Sequence, residues 1–405
     1  MKWITIFYFI LPVLTGYLIG SFLPGYFLPL WVKKMDIRKM GDGNPGIINV
    51  KRNAGISLAL LTFLYDVPKG LLSVLISLYV FKLPVSLAYL AGFSAVLGHK
   101  FPFYLGFKGG RGFATTVGLF LYVFIKILVL DFTLVEIIAF FIYIGVYALL
   151  LNLATHAKGD LFTVSIFPFM GVYMLIHLHI SADLIFFLAL ITIMTAEAGR
   201  NLIRDKVKLF SDNAASWRTF ARPFALLFIP FGMAYPKSSL LIVTGCVLAL
   251  FFLFDLFRMI IPSVEAFSQA EIMAGFRLCK KEEQGKLSSM TDFLLGLFLC
   301  FLLFDRNIAF ASLGFVSLAS LFTALVEENF GKSRIFTKSD KTLEGSLAFL
   351  SAAVTIAFFF WSGGLLPLHV ALIGALTATF TAAIPSQSDE AFTIPLISGV
   401  IMSLL

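Results

Sequence analysis

The chain has 405 residues, 59% of them hydrophobic and 13% charged, with a formal net charge of +8. A soluble domain averages about 25% charged residues, so a soluble globular protein is excluded; the cations lie in loops between apolar runs, which removes the case for nucleic-acid binding. Three scattered cysteines (Cys246, Cys279, Cys300) and five histidines without HExxH spacing suggest neither a disulfide framework nor a metal site.

Apolar runs of bilayer length, about 20 residues, recur along the chain. The pattern predicts an all-α, polytopic integral membrane helical bundle. Seven spans are expected in the first half and about five to seven in the second. The first covers residues 4–30. Lys2 and the run after it resemble a signal peptide, but no small-residue cleavage pattern follows, so a retained span is expected. Gly16, Gly20, Ser21 and Gly25 would let it pack closely on a neighbour. Residues 33–53 hold six cations and two aspartates, and their glycine, proline and asparagine content predicts turns.

The next span, 56–83, carries Asp66-Val67-Pro68-Lys69-Gly70 near its middle. Charges at that depth are costly and usually mark function, so the pair is expected to line the polar end of a site. Alternatively the two groups neutralise each other, or two shorter helices meet there. A span at 85–98 leads to the most distinctive stretch, Gly98 to Thr116. Within Gly106 to Gly112 fall four glycines and two cations, Lys108 and Arg111. Glycines allow positive φ and close backbone approach, so loop amides could converge on one anion. Lysine and arginine both suit phosphate oxygens. Thr115 and Thr116 then open an apolar helix whose first N–H groups favour the same anion.

Further spans are expected at 113–130, 133–153, 161–178 and 180–195. His177 and His179, two apart, would face different ways on a helix and are read as interfacial. A second polar segment, 197–222, has six Lys/Arg and is the best boundary between domains, giving 1–222 and 223–405. The loops 33–52, 100–111 and 200–222 fall on one side if the N-terminus is outside, and the positive-inside rule makes that side the cytoplasm. In the second half, apolar runs lie at 223–234, 238–261, 293–304, 308–326, 347–361, 369–384 and 393–405. Several are short for a full crossing.

Three segments of the first half resemble the signature motifs of the bacterial PlsY family of acyl-phosphate:glycerol-3-phosphate acyltransferases, seven-span membrane enzymes of phospholipid synthesis. They are Gly41-Asp42-Gly43-Asn44 through Asn49 and Arg52, Gly98-His99-Lys100 through Gly112 and Thr115, and, more weakly, Asn201-Leu202-Ile203-Arg204. Asp66, Lys69 and Gly70 match a further Asp-x-x-Lys-Gly element. The resemblance covers about residues 4–210. The chain departs from the family at Asp42 (usually Ser), Ile48 (usually Thr), Arg111 (usually Lys) and Ala198 (usually His). A carboxylate beside a phosphate site is unfavourable unless it meets a cation.

The resemblance implies a bacterial inner-membrane acyltransferase with its site on the cytoplasmic face. Its substrates would be acyl phosphate and glycerol-3-phosphate, in contact with membrane lipids, with no cofactor, metal or nucleic-acid partner. Asn44, Asn49, His99 and Asn201 are the implied catalytic residues. Arg52, Lys69, Lys108, Gly109, Gly110, Arg111, Gly112 and Arg204 are the implied phosphate-binding residues. An acyl phosphate carries its own leaving group, so no enzyme nucleophile is required. No Gly-x-Ser-x-Gly elbow is present. For His99 a structural role stands ahead of general base.

In the second half, Asp255-Leu256-Phe257-Arg258, residues 341–348 and Asp389-Glu390-Ala391 resemble the CTP-dependent dolichol, phytol and diacylglycerol kinases. Where that family has Gly-Asp, this chain has Ala319-Ser320, which removes a carboxylate suited to a nucleotide–metal complex. Two other functions therefore stand beside acyl transfer: a CTP-dependent lipid kinase with the first half as accessory, and a non-catalytic lipid-binding or transport protein.

Overall fold

The structure is a computed structural model describing residues 2–155, 159–207, 221–269, 279, 283–337, 341–385 and 389–405. Among these residues the chain is helical apart from turns and one isolated antiparallel bridge, Arg334 to Thr342. Among the described residues nine helices are long and apolar enough to cross a membrane, and four shorter apolar helices accompany them. The protein is a polytopic integral membrane helical protein. Its Cα packing separates two units: Met1–Leu134 with Thr163–Arg200, and Val135–Phe162 with Asn201–Leu405.

The first unit begins with α1 (Lys2–Ser21) and α2 (Pro24–Lys33). The expected first span emerges as one apolar stretch, Tyr8–Lys33, whose helix is interrupted at Phe22 and Leu23, because Pro24 opens a new helix and gives no N–H to the preceding turn. Then come α3 (Ile47–Ala54), α4 (Ile56–Asp66), α5 (Lys69–Leu75), which runs on through a π-turn to Val80, and α6 (Val85–Lys100). α7 (Phe113–Asp131) completes this run.

α8 (Leu134–Thr155), α9 (Gly159–His177) and α10 (Ala182–Arg204) straddle the division. Nearly all of α8 groups with the later helices, although it precedes the polar segment. Its Tyr143 donates to Thr355 at 3.0 Å and stacks on Phe358 at 4.4 Å between ring centres.

α1 crosses α6 on small residues, as the glycine spacing predicts. Gly16 and Gly20 lie against the backbone of Ala91 and Ala95, and Gly98 lies against the carbonyl of Tyr17. In lipid the hydrophobic effect does not drive helices together, so such close approach and its dispersion energy matter more. At the far end of these helices, Lys126 of α7 meets Asp183 of α10 at 2.8 Å, and Tyr89 of α6 donates to the same carboxylate.

The second unit holds α11 (Phe228–Ala234), α12 (Lys237–Ile260), α13 (Pro262–Gln269), α14 (Ser289–Leu303), α15 (Arg306–Gly314), α16 (Ser320–Phe330), α17 (Leu343–Ser362), α18 (Leu368–Ala383) and α19 (Glu390–Ser403). A π-turn at Phe315–Ala319 joins α15 to α16. Phenylalanines (Phe301, Phe310, Phe315, Phe349) fill its core between alanine faces, notably Ala353 and Ala357 of α17 and Ala371 and Ala375 of α18.

The α1–α6 crossing makes a direct prediction. A valine at Gly20 would press into Ala95, and overpacking costs about 1–3 kcal/mol. Gly20→Val is therefore expected to lower the melting temperature of the detergent-solubilised protein. Gly145→Val, in α8 with no atom within 4 Å of the new carbon, is expected to leave it nearly unchanged.

Candidate active site

α6 ends where Pro102 follows Phe101. The chain then makes a short turn, Phe103–Leu105, and Gly106 and Phe107 both take left-handed backbone (φ +61 and +61). This reverses the chain and lays the glycine loop back on the end of α6. The N–H of Gly109 donates to the Lys100 carbonyl and that of Gly110 to the His99 carbonyl, both at 3.0 Å. These carbonyls belong to the last turn of a helix, which has no partners of its own.

Two of the loop amides thus face the protein's own helix end. Gly109 and Gly110, expected among the phosphate ligands, use their N–H groups to cap α6. The donors left open are those of Arg111 through Ala114, for which no hydrogen bond exists. They lie where Gly112 (φ +77) turns the chain into α7. The amides of this motif that remain open are therefore those of the helix start rather than those of Gly109 and Gly110.

Beneath the loop lies a buried polar cluster. Lys69 Nζ meets Asp66 Oδ1 at 2.7 Å, with both side chains at 0% exposure. The pair sits at the α4–α5 join, where Pro68 interrupts the helical hydrogen bonds. Of the alternatives open from sequence, two hold together: the charges neutralise each other, and two shorter helices meet there. Lys69 also donates to the carbonyl of Phe22 at 3.1 Å, in the break between α1 and α2. Its charge is therefore matched within the protein.

His99 lies over this pair, 3% exposed, with Nδ1 3.6 Å from Asp66 Oδ1. Its other edge faces Gly110, where a Cβ would collide with Nε2. It is enclosed between the ion pair and the loop, a position that suits support of the loop better than proton removal from a substrate. Thr115 of α7 donates to the Asp66 carbonyl at 2.9 Å, and Gly118 packs on the carbonyl of Val67.

The first motif arrives at the same end of the unit. Gly41 (φ +58) and Gly43 (φ +71) turn the chain between α2 and α3. Asn49 is buried and donates to the carbonyls of Met40 at 3.0 Å and Ile37 at 3.3 Å, so it braces this turn. Asp36 accepts from Arg38, whose hydrogen bond holds the Asp36 carboxyl below its usual range. Asp42 accepts from the Asn44 N–H at 3.2 Å and meets Arg111 Nη2 at 3.1 Å. The unexpected carboxylate therefore does meet a cation. Lys100 pairs with Glu197 of α10 at 2.9 Å.

Arg52 and Lys108 are exposed, and among the described residues neither side chain has a hydrogen bond or ion pair. Tyr104 donates to the Ser21 carbonyl at 2.5 Å, and its partial burial pushes its hydroxyl up to about 12. Two expected residues fall in the other unit. Asn201 donates to Asp160 at 3.1 Å, and Arg204, mostly exposed, lies 3.9 Å from Asp205. Most of the third cationic loop, residues 208–220, lies outside the described residues.

Sequence reasoning did not find Tyr104, Thr115 and Glu197 as anchors of the site. Their partners lie 83, 49 and 97 residues away, and no local spacing announces such pairs. Asp66 was visible, because charges inside an apolar span are costly and usually mark function.

Residues 10–205 match the sequence model of the family described as glycerol-3-phosphate acyltransferase. The chain is 47% identical over 106 residues to the glycerol-3-phosphate acyltransferase of Parasynechococcus marenigrum, covering 26% of this chain and 50% of that protein. It is 43% identical over 107 residues to the protein of that name from Shouchella clausii, covering 26% and 52%. The chain thus spans about half the length of these relatives. Among solved structures it is similar to PlsY, an integral membrane glycerol 3-phosphate acyltransferase, in its glycerol 3-phosphate form. That similarity has 25% identity, a TM-score of 0.37, and coverage of 48% of this chain and 90% of that one.

The buried pair makes its own prediction. Removing one member of a buried ion pair costs about 3–5 kcal/mol, because the other charge is left unmatched. Asp66→Asn and Lys69→Met should each lower thermal stability sharply, and the double substitution should lose less than the sum of the two. Strict additivity in detergent melting curves would rule out the coupling.

Proposed function

We propose that the first half of this chain is a membrane glycerol-3-phosphate acyltransferase. It would transfer an acyl group from acyl phosphate to the sn-1 hydroxyl and yield 1-acyl-glycerol-3-phosphate. The observation that carries the proposal is the glycine loop. It is seated on buried His99 and gives a rigid helix start with open N–H groups, flanked by Arg111 and by the unpaired Lys108. Arg52, also unpaired, comes from the first motif. The family match over residues 10–205 supports the same reading.

In this reaction the glycerol hydroxyl attacks the acyl carbonyl and the C–O bond to phosphate breaks. The phosphate leaves with the electron pair, and the hydroxyl proton passes to a phosphate oxygen. The protein's part is to hold two anions and to donate to the developing oxyanion. Cations and helix-start amides suffice for that, and His99 is not needed as a base. We place the site on the cytoplasmic face of a bacterial inner membrane, on the strength of its cationic loops.

For residues 223–405 we propose a lipid-kinase-like unit. Segments of its resemblance gather around the start of α14: Asp255 accepts from Ser288 N–H at 2.7 Å, and Arg222 lies 3.7 Å from Asp389 and donates to Ser289. With Ser320 where that family has a carboxylate, purified protein given labelled CTP is expected to phosphorylate diacylglycerol, dolichol and phytol little or not at all. Robust transfer would overturn this.

The test of acyl transfer is an assay of purified protein with acyl phosphate and glycerol-3-phosphate, with acyl-CoA and acyl carrier protein as alternative donors. A charge-assisted hydrogen bond is worth about 1.5–3 kcal/mol, so Lys108→Gln should lower kcat/KM by roughly 10- to 100-fold. Gly110→Ala should be comparably harmful, because its methyl group meets the His99 ring. Arg111→Lys should be tolerated. If Lys108→Gln and Gly110→Ala both keep near-wild-type kinetics in properly inserted protein, the loop is not the site.

A further inference from the structure

We propose that Asp42 is a displaceable counter-ion that sets how tightly Arg111 takes a substrate phosphate, and hence which anions the site admits. This rests on the acyltransferase reading above. Asp42 is held in place: its Oδ1 accepts from the Asn44 N–H at 3.2 Å, which leaves Oδ2 to meet Arg111 Nη2 at 3.1 Å. The two side chains are 43% and 39% exposed, so water and dissolved anions reach both.

The other cations of these segments divide sharply. Lys100 is closed off by Glu197, whereas the side chains of Arg52 and Lys108 have no partner among the described residues. Arg111 is intermediate, being paired but reachable, and it stands beside the open N–H groups of Gly112, Phe113 and Ala114. An anion that settles on those groups must compete with the Asp42 carboxylate for the guanidinium. A phosphate dianion offers more charge and more acceptor oxygens than a carboxylate, so it can displace Asp42. A weakly held monoanion cannot. The carboxylate thus raises the threshold for occupancy at the expense of affinity. An exposed pair is easily exchanged, because its net stabilisation is small.

Asp42→Asn tests this with little structural disturbance, since the amide oxygen can still accept from Asn44 N–H. The KM for one of the two phosphate substrates is expected to fall about two- to fivefold, the range that the typical strength of an exposed ion pair allows, with kcat changing less. The dissociation constant for inorganic phosphate, read by ³¹P NMR titration of the detergent-solubilised full chain, should fall by a similar factor. Asp42→Glu should retain the wild-type values. In an Arg111→Gln background the gain from Asp42→Asn should vanish.

If neither KM nor phosphate affinity improves, if either worsens, or if the improvement persists without Arg111, the proposal is overturned. Should every variant lack acyl transfer, the acyltransferase reading fails while the phosphate titration and its dependence on Arg111 still decide the role of Asp42.

Discussion

The arrangement of the first unit depends on one buried contact, the 2.7 Å pair between Asp66 and Lys69. Water-free ionic groups are expensive, and a buried pair rarely adds net stability over apolar packing. What this pair supplies is connection. Lys69 reaches the break between α1 and α2 through the Phe22 carbonyl, and Asp66 receives Thr115 of α7 on its carbonyl while its carboxylate faces His99. Three interruptions of helix, at residues 22–23, 67–68 and 101–112, therefore meet around two side chains.

Such interruptions are hard to sustain within a membrane protein, because freed backbone groups lack water. Here they are answered by side chains. The carbonyls near the end of α1 accept from Tyr65 at Ile19, Tyr104 at Ser21 and Lys69 at Phe22. The freed carbonyls at the end of α6 accept from Gly109 and Gly110. The result is irregular backbone that is nonetheless fixed, which is what a phosphate site requires: donors already pointed before the ligand arrives.

The helices were largely legible in the sequence, because hydropathy over a bilayer-length window reports lipid exposure directly. The spans expected at 113–130 and 238–261 emerge as Phe113–Asp131 and Lys237–Ile260. The break at Phe22 was not legible, since the apolar run continues through it and only Pro24 marks the change. The membership of α8 was equally hidden, for it rests on Tyr143 meeting Thr355 and Phe358 some two hundred residues on. The glycine loop shows a subtler limit. Glycine density says that backbone groups come close to something, but not to what. At Gly109 and Gly110 the partner is the protein's own helix end, and the composition would be the same had it been an anion.

How particular charges are matched bears on where chemistry should be sought. In the second unit Arg258 is fully buried, yet it is enclosed by Asp255, Glu265 and the carbonyls of Glu283 and Lys286. Glu344 accepts from the N–H groups of Lys332 and Ser333, and Lys341 meets Glu390 at 2.6 Å. A charge with all its partners at hand holds segments together and has little left to offer a ligand. At the loop end of the first unit Lys69 is matched in the same way by Asp66 and the Phe22 carbonyl, but the outer ring is not: among the described residues the side chains of Arg52 and Lys108 are unpaired, and Arg111 is held by a single exposed carboxylate. The gradient from paired interior to unpaired rim is what favours the proposed placement of the anion site at that end, since binding there would satisfy cations without first dismantling the fold.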